Sequence, residues 1–369
     1  MMIDMDSART LRPQVKLIAA NLLCAAGVPA LARWRNSGRL AILMFHGVEG
    51  VPLSPPCDYV NDAVTLRREL SYLRRHFHVL PLQEALERLR DGTLPRRAAA
   101  VTFDDGTRNL AIHAGPVLRD LRLPAAVFVA TGPMGTAEAL WPDRLWIAFA
   151  ATTLPEIDLA EVGLGQRSLR NPAARNETRD AVVQHLKQLP DAERLGRVDS
   201  LVAALGAEPD ATGGPFEMLS WDEARALAAD GLVSLYPHTV THPILARCTD
   251  EKVEYEISES CRAVERETGG APTVFAYPNG GEGDFDDRAK ATLVRNGIPW
   301  ALSTTLGFAD RTSDPLALPR IGIGPSPSLA LFKLKVSGFN LSWLRAGVSA
   351  VRGRRVRVGA DSRDVGVSD

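Results

Sequence analysis

The sequence predicts an α/β fold built around a parallel β-sheet. From Arg39 onward, short apolar runs alternate with amphipathic segments, which is the pattern of successive βαβ units. The chain has 369 residues and is long enough to bury a large core. Several of its histidines and aspartates directly follow apolar runs, as expected of an active site at the carboxyl edge of such a sheet.

Six apolar runs are predicted strands: RLAILMFH, AAAVTF, PAAVFVA, GLVSLY, TVFAY and PWALST. Amphipathic segments lie between them, for example TLRRELSYLRRHF. The clearest helix is DEKVEYEISESCRAVERETGG, in which Asp250 is a suitable N-cap and Gly269 can end the helix. Its apolar residues recur at helical spacing, at Val253, Ile257, Cys261 and Val264.

The strand and helix alternation divides the chain into three predicted parts. Residues 1–38 form an N-terminal amphipathic helical segment, residues 39–325 form the α/β domain, and residues 326–369 form a basic amphipathic tail that is partly disordered. The alternation breaks between about 132 and 218, where the sequence is charged and helical, and we interpret this stretch as a helical insertion.

Composition excludes several classes of protein. With 43 basic and 44 acidic side chains, the net charge of −1 offers no general field for nucleic acid. The four cysteines form no CxxC pair, which argues against a zinc ribbon and against a disulfide scaffold.

Both ends of the chain combine apolar and basic residues. The segment VKLIAANLLCAAGVPALARW is short for a membrane span and is interrupted by Pro29, so we favour an amphipathic helix that packs on the domain or lies on a membrane surface. In the tail, apolar residues accompany six cations, which allows peripheral contact with anionic lipid: Lys333, Lys335, Arg345, Arg352, Arg354 and Arg355. The termini favour a cytoplasmic or membrane-associated protein and leave export open.

Two adjacent aspartates follow the second strand, in the sequence TFDDG. Asp104 and Asp105 repel each other unless a cation or a proton is shared between them. The simplest structural role for such a pair is a helix N-cap, with Gly106 allowing the turn. As a functional site, one aspartate would bind a cation and the other would accept a proton from water.

Two histidines follow the fourth strand, in the sequence PHTVTHPIL. His238 and His242 are four residues apart and could share one face of a helical turn. Two histidines and one carboxylate leave coordination positions open, as in a catalytic rather than a structural metal site.

These motifs resemble the polysaccharide deacetylases of the NodB-homology type, carbohydrate esterase family four, and in particular their bacterial exopolysaccharide branch. The resemblance rests on TFDDG, HTVTHPIL and FAYPNG in the family's order, together with LMFHGV, LSWDEARAL and LPRIGI. It implies a deformed (β/α) barrel of about seven parallel strands, here with a helical insertion, and a hydrolase that removes acetyl groups from sugars.

The resemblance also implies roles for individual residues. Asp104 would be the catalytic base, and Asp105, His238 and His242 would bind a divalent metal, most often Zn²⁺, although Co²⁺, Ni²⁺ or Fe²⁺ also suit such ligands. A backbone N–H near Asn279 would stabilise the oxyanion.

Two residues of the family pattern are not found at their usual places. The arginine that orients the base aligns with Ala276, and no histidine follows His242 to act as the general acid. His46 ends a predicted strand at the same edge and is the natural substitute for that acid. A role for His46 in hydrogen bonding alone stays open.

We therefore expect a metal-dependent deacetylase of N-acetylated sugars in a bacterial surface or extracellular polysaccharide or its precursor. The alternative is a catalytically impaired barrel that binds glycans or acts as a scaffold in polysaccharide biosynthesis. The two missing residues favour this alternative, whereas the presence of Asp104 beside the metal ligand disfavours it.

Overall fold

The structure is a computed structural model that describes residues 5–207 and 210–339, with side chains from residue 14 onward. In chain order the strands are β1 Ala41–Phe45, β2 Val48–Glu49, β3 Asn61–Asp62, β4 His78–Val79, β5 Ala98–Phe103, β6 Ala125–Val129, β7 Glu156–Leu159, β8 Gly165–Ser168, β9 Val233–Pro237, β10 Val274–Ala276, β11 Trp300–Leu306 and β12 Leu318–Gly322.

The helices surround and extend the sheet. They are α1 Met5–Ala25, α2 Val28–Arg35, α3 Ala63–His76, α4 Leu82–Asp91, α5 Gly115–Leu121, α6 Trp141–Ala151, α7 Pro172–Leu186, α8 Asp191–Ala204, α9 Trp221–Ala228, α10 Asp250–Thr268, α11 Asp287–Arg295 and α12 Leu329–Val336.

Seven parallel strands form a nearly closed barrel. Their order is β10-β11-β12-β1-β5-β6-β9, and the short strand β4 pairs with β5 outside this path. The predicted fold class is confirmed, and each of the six predicted strands overlaps one strand of the barrel. The seventh, β12, was not predicted as a strand because Pro319 and Arg320 interrupt its apolar pattern.

Side-chain alternation separates two apolar layers. Ala98 and Ala100 of β5 face the barrel interior with Ile42 and Phe128, and α4 closes the bottom of that interior. Val101 and its odd-numbered neighbours face outward and pack against α3 and α5. Continuing the even-numbered alternation brings Thr102 and then Asp104 toward the interior at the top of the barrel.

The segment between β6 and α9 holds the predicted helical insertion. Helices α6, α7 and α8 pack around their own apolar core, and the antiparallel hairpin β7-β8, which was not predicted, completes it. The insertion returns to the barrel through the bridge between Met218 and Thr107.

Helices α1, α2 and α12 pack together beside the barrel, with Ala20 and Leu334 in their shared core. The three-part division of the chain remains a prediction, and most of the predicted basic tail, residues 340–369, lies outside the described residues. Among the helices that are described, none alone is long and apolar enough to cross a membrane. The pair 14–25 and 28–35, bent by 70°, meets that test of length and composition when taken together.

Candidate metal centre and active site

The residues predicted to carry chemistry converge at the carboxyl ends of the barrel strands. Asp104 and Asp105 follow β5, His238 follows β9, Asn279 follows β10, and His46 follows β1. Because the strands are parallel, these ends lie at the same edge of the sheet.

Asp105, His238 and His242 form a buried cluster whose ligand atoms all lie within 4.8 Å of one another. Asp105 Oδ1 lies 3.6 Å from His238 Nε2 and 3.3 Å from His242 Nε2. Among the described residues no other group of three or more histidine, cysteine or acidic side chains has this geometry. The structure therefore brings together the three residues predicted as ligands.

The hydrogen bonding of the cluster fits a metal. His238 Nδ1 lies 2.7 Å from the carbonyl oxygen of Ala276, so that nitrogen donates its proton and Nε2 keeps a free lone pair toward Asp105. Asp105 Oδ1 is buried and accepts no conventional hydrogen bond. A buried carboxylate oxygen facing two imidazole nitrogens is a donor set that suits Zn²⁺ and similar cations.

The histidine motif is an irregular loop, so the predicted helical turn is wrong. Thr239 and His242 have φ values of 68° and 59°, in the left-handed region, and a helical turn would need negative values. The backbone N–H of His242 donates to the Thr239 hydroxyl at 3.1 Å, which fixes this turn. The left-handed residues place both histidines opposite Asp105, which is itself left-handed at 74°.

A buried glutamate from α10 holds the histidine loop. Glu256 Oε2 accepts the backbone N–H groups of Val240 and Thr241 at 2.7 and 2.8 Å, and Oε1 accepts the Thr241 hydroxyl at 2.6 Å. Lys252, one turn earlier on α10, pairs with the same carboxylate at 2.9 Å. Sequence analysis predicted the helix but missed this role, although Glu256 lies next to Ile257 on the buried face.

Gly106 permits the close packing behind the two aspartates. Its φ is 85°, and a Cβ atom built there would lie 2.8 Å from Val129 Cγ1. Any side chain at position 106 would therefore force β6 away from the end of β5.

Asp104 is held by an arginine inside the barrel. Arg320 of β12 donates from Nη1 and Nη2 to the two carboxylate oxygens of Asp104, each at 2.7 Å, and both side chains are buried. Arg320 also donates from Nε to the Ser303 carbonyl at 2.9 Å. The predicted absence of an arginine beside Asp104 is therefore wrong: this arginine comes from β12 instead of the position of Ala276.

The two adjacent aspartates are stabilised in different ways. Burial alone would raise the pKa of Asp104, but the charge and hydrogen bonds of Arg320 lower it below its usual value. Burial would likewise raise the pKa of Asp105, and contact with His238 and His242 holds it well below that value. Burial lowers the pKa of His242 against the pull of Asp105, which favours the neutral imidazole that binds metals.

His46 and Asn279 border the site. The His46 ring lies 5.8 Å, between centroids, from the ring of Tyr59 in the loop between β2 and β3. Asn279 has a φ of 58°, and its carbonyl accepts the Thr304 hydroxyl at 2.6 Å. The side-chain Nδ2 of Asn279 is buried and makes no hydrogen bond, so it offers a free donor beside the site.

Comparisons with known proteins give one matching family model and several similar structures. The family model described as polysaccharide deacetylase matches residues 91–300. The chain is similar to the structure of the Streptococcus pyogenes deacetylase PplD in complex with acetate, with a TM-score of 0.54 and 17% identity over 82% of this chain and 99% of that one.

It is also similar to IcaB from Ammonifex degensii, with a TM-score of 0.54 and 17% identity over 82% of this chain and 97% of that one. A third similar structure is the putative polysaccharide deacetylase BA0330 from Bacillus anthracis. Its TM-score is 0.51, with 16% identity over 81% of this chain and 69% of that one. At these identities the likeness shows the fold. No curated protein matches the chain.

Proposed function

Because the chain belongs to the polysaccharide deacetylase family, we propose that it removes acetyl groups from N-acetylated sugars of a bacterial surface or extracellular polysaccharide or its precursor. The observation that carries the proposal is the Asp104–Arg320 pair directly beside the Asp105, His238 and His242 cluster. A barrel that only binds sugar needs no ionised base next to a metal site.

In this proposal Asp105, His238 and His242 hold a divalent cation, with Zn²⁺ the first choice and Co²⁺, Ni²⁺ or Fe²⁺ also suitable. When bound, such a cation supplies Lewis-acid chemistry to the acetyl group and the attacking water.

Asp104 is the general base that accepts a proton from the attacking water. The two bonds from Arg320 keep this carboxylate ionised and fix its orientation. Asn279 supplies donors for the oxyanion, with its backbone N–H as the predicted group and its unpaired Nδ2 as a second. His46 is the predicted donor of a proton to the leaving amine. The products are acetate and a free amino sugar.

The impaired-barrel alternative loses part of its basis. It depended on the missing arginine and the missing late histidine, and Arg320, from a different strand, makes the contact with Asp104 that the missing arginine would make. The remaining difference between this chain and the family pattern is the missing late histidine, which leaves the general acid to be identified.

We also propose that the first two helices contact an anionic membrane surface. Val15, Ile18 and Leu22 are exposed along one face of α1, and Leu31 and Trp34 are exposed on α2. Between residues 14 and 35 the sequence contains three cations and no acid. Exposed apolar residues accompanied by cations suit anionic lipid.

Vesicle sedimentation tests the membrane contact. We expect binding to phosphatidylglycerol vesicles and loss of binding in the double variant Ile18→Ser and Leu22→Ser. Val294→Ser, at an exposed valine on α11, is the matched control and should bind as wild type does. Equal binding by the double variant would remove this part of the proposal.

Acetate release from N-acetylglucosamine oligomers tests the main proposal. The purified protein is assayed as prepared, after chelation, and after re-addition of Zn²⁺. Release that stops with the chelator and returns with Zn²⁺ supports the deacetylase. Absence of release from every oligomer, with bound metal demonstrated by elemental analysis, would favour the glycan-binding alternative.

A further inference from the structure

The loop after β10 contains two consecutive left-handed residues. Asn279 and Gly280 have φ values of 58° and 64°. The backbone N–H of Gly280 donates to the Pro278 carbonyl at 2.6 Å, which closes a tight turn around Asn279. A Cβ atom at position 280 would lie 2.8 Å from the Tyr277 carbonyl oxygen, so the turn needs glycine there. A backbone of this kind persists only where its surroundings hold it.

The turn keeps its donors free and has its acceptors bonded. Among the residues that the structure describes, the backbone N–H of Asn279 donates to no group, and neither does its side-chain Nδ2. In contrast, the carbonyl oxygens of Asn279 and Gly280 both accept a hydrogen bond. The turn is therefore anchored through its carbonyl groups, and its unbonded N–H groups are available to a ligand oxygen.

Thr304 of β11 supplies both anchoring bonds. Its backbone N–H donates to the Gly280 carbonyl at 2.8 Å, and its hydroxyl donates to the Asn279 carbonyl at 2.6 Å. Before the turn, the Tyr277 N–H donates to the Leu302 carbonyl at 3.1 Å. Any residue with a backbone N–H could make the first bond, whereas the bond to Asn279 needs a side-chain donor at position 304. The orientation of Asn279 therefore depends on this hydroxyl.

Thr304 lies in an irregular stretch of β11. Between its ladder pairs at Leu302 and Leu306, β11 advances four residues while β12 advances two. Irregularities of this kind occur next to active sites, where they re-aim side chains. In the same stretch, the Ser303 carbonyl accepts the Nε–H of Arg320 at 2.9 Å. Neighbouring residues of β11 thus hold the arginine of the base and the turn with the predicted oxyanion donor.

We propose that Thr304 is the positioning residue for the oxyanion donor, and that its hydroxyl orients the Asn279 N–H by holding the Asn279 carbonyl. This inference rests on the proposed function. A donor stabilises an oxyanion best when it already points to the place where the negative charge develops. In this role Thr304 acts through Asn279 and not on the substrate itself.

Removal of the hydroxyl tests this role. Thr304→Val keeps the backbone bond and a branched side chain that suits a strand. Complete removal of an oxyanion donor costs about 10²- to 10³-fold in kcat, and a misdirected donor should cost less. We expect kcat for acetate release from N-acetylglucosamine oligomers to fall about 10- to 100-fold. KM should change less than about threefold, because the lost interaction is made only in the transition state.

The conservative variant and a neighbouring position serve as controls. Thr304→Ser restores the hydroxyl, so its kcat should return to within about threefold of wild type. Thr305→Val makes the same change at the adjacent, exposed threonine and should leave kcat and KM as in wild type. Elemental analysis of each preparation checks that all variants carry the same amount of Zn²⁺.

A tetrahedral inhibitor gives a readout that a merely structural role would not move. The probe is an N-acetylglucosamine oligomer in which one acetamide is replaced by a methylphosphonamidate, whose anionic oxygen resembles the oxyanion. Such an analogue follows the binding of the transition state. Its inhibition constant should rise in Thr304→Val by the same factor as kcat/KM falls, and should return in Thr304→Ser.

The outcomes are distinguishable. Parallel losses of kcat/KM and inhibitor affinity, both recovered by serine, support the inference. Wild-type kcat in Thr304→Val, a loss that serine does not recover, or unchanged inhibitor affinity overturns it, and the proposed function stands. If Thr304→Val does not fold, Thr304→Ala removes the same hydroxyl and carries the same expectation. If wild-type protein with bound Zn²⁺ releases no acetate from any oligomer, the proposed function fails and this inference fails with it.

Discussion

Asp104 and Asp105 are neighbours in sequence but belong to two differently built regions. Asp104 continues the regular alternation of β5 into the barrel and meets Arg320 of β12. Asp105 turns the other way through a left-handed backbone and meets two histidines, one of which is also left-handed. We name these regions the base pocket, Asp104 with Arg320, and the ligand cluster, Asp105 with His238 and His242.

The difference shows two ways to fix a side chain. In the base pocket the backbone is relaxed, and a bidentate ion pair with Arg320 inside the barrel fixes the orientation of the Asp104 carboxylate. In the ligand cluster the backbone is strained, and Glu256 of α10 holds the strained loop from behind. Changes to the base pocket should therefore affect turnover, and changes around the ligand cluster should affect metal binding.

The largest expected effects come from replacing Asp104 and Asp105, and they should differ between the two residues. Asp104→Asn should reduce kcat by about 10³-fold, as expected for loss of a general base, with bound metal unchanged. Asp105→Asn should lose the metal. Acetate release and elemental analysis on the same preparations measure both quantities. Loss of metal from the Asp104 variant would show that the two regions are not separate.

The next largest effect concerns the arginine of the base pocket. Arg320→Ala leaves Asp104 buried and unpaired, which should cost about 3–5 kcal/mol in the free energy of unfolding. Arg320→Lys keeps the charge but not the planar pair of donors, so its stability loss should be smaller while kcat still falls. Urea unfolding and acetate release are measured on both variants. Wild-type kcat in Arg320→Lys would contradict a positioning role for the arginine.

A smaller effect is expected behind the ligand cluster. Glu256→Gln replaces one acceptor oxygen by a donor, so it should weaken Zn²⁺ binding by about 10- to 100-fold. The kcat of the fully loaded enzyme should be nearly unchanged. Zn²⁺ affinity is measured by competition with a chelator, and Glu251→Gln, at an exposed position of α10, is the control. An unchanged affinity would mean that the loop keeps its shape without Glu256.

The smallest effect is the pH dependence of stability in the base pocket. The folded-state pKa of Asp104 is lowered, so its ion pair stabilises the fold above the unfolded pKa of about 3.9 and is lost as the pH falls below it. The difference in unfolding free energy between wild type and Asp104→Asn should therefore be largest near neutral pH and should narrow toward pH 3. A difference that is constant with pH would show that the carboxylate charge contributes nothing.

Prediction from the sequence succeeded where the residues of a single chain segment were enough to indicate its structure. The apolar runs of β5 and β6 are buried on both faces, so their composition alone predicted strands. The residues of the ligand cluster directly follow such runs, and the structure brings them together. His46 and Asn279 also lie at the predicted edge, and their roles stay predictions.

It failed where a role depends on contacts between distant segments. Arg320 lies in LPRIGI, noted above as family-like, but nothing in that segment indicates that its guanidinium reaches Asp104, 216 residues earlier. Glu256 looks like any acid on a charged helix until the packing of α10 is known. The spacing of His238 and His242 favoured a helical turn, and the left-handed residues of the loop overrode that local preference.

The ligand cluster also lies near the seam of the barrel, which is the line along which the edge strands β9 and β10 face each other. The edge strands β9 and β10 are joined by no backbone ladder among the described residues, and the bond from His238 to the Ala276 carbonyl crosses between them. Asp105 stands on the far side of β6 from that seam. A cation held by all three ligands would cross-link the end of β9, the last strand of the sheet, to the end of β5 across the intervening strand β6.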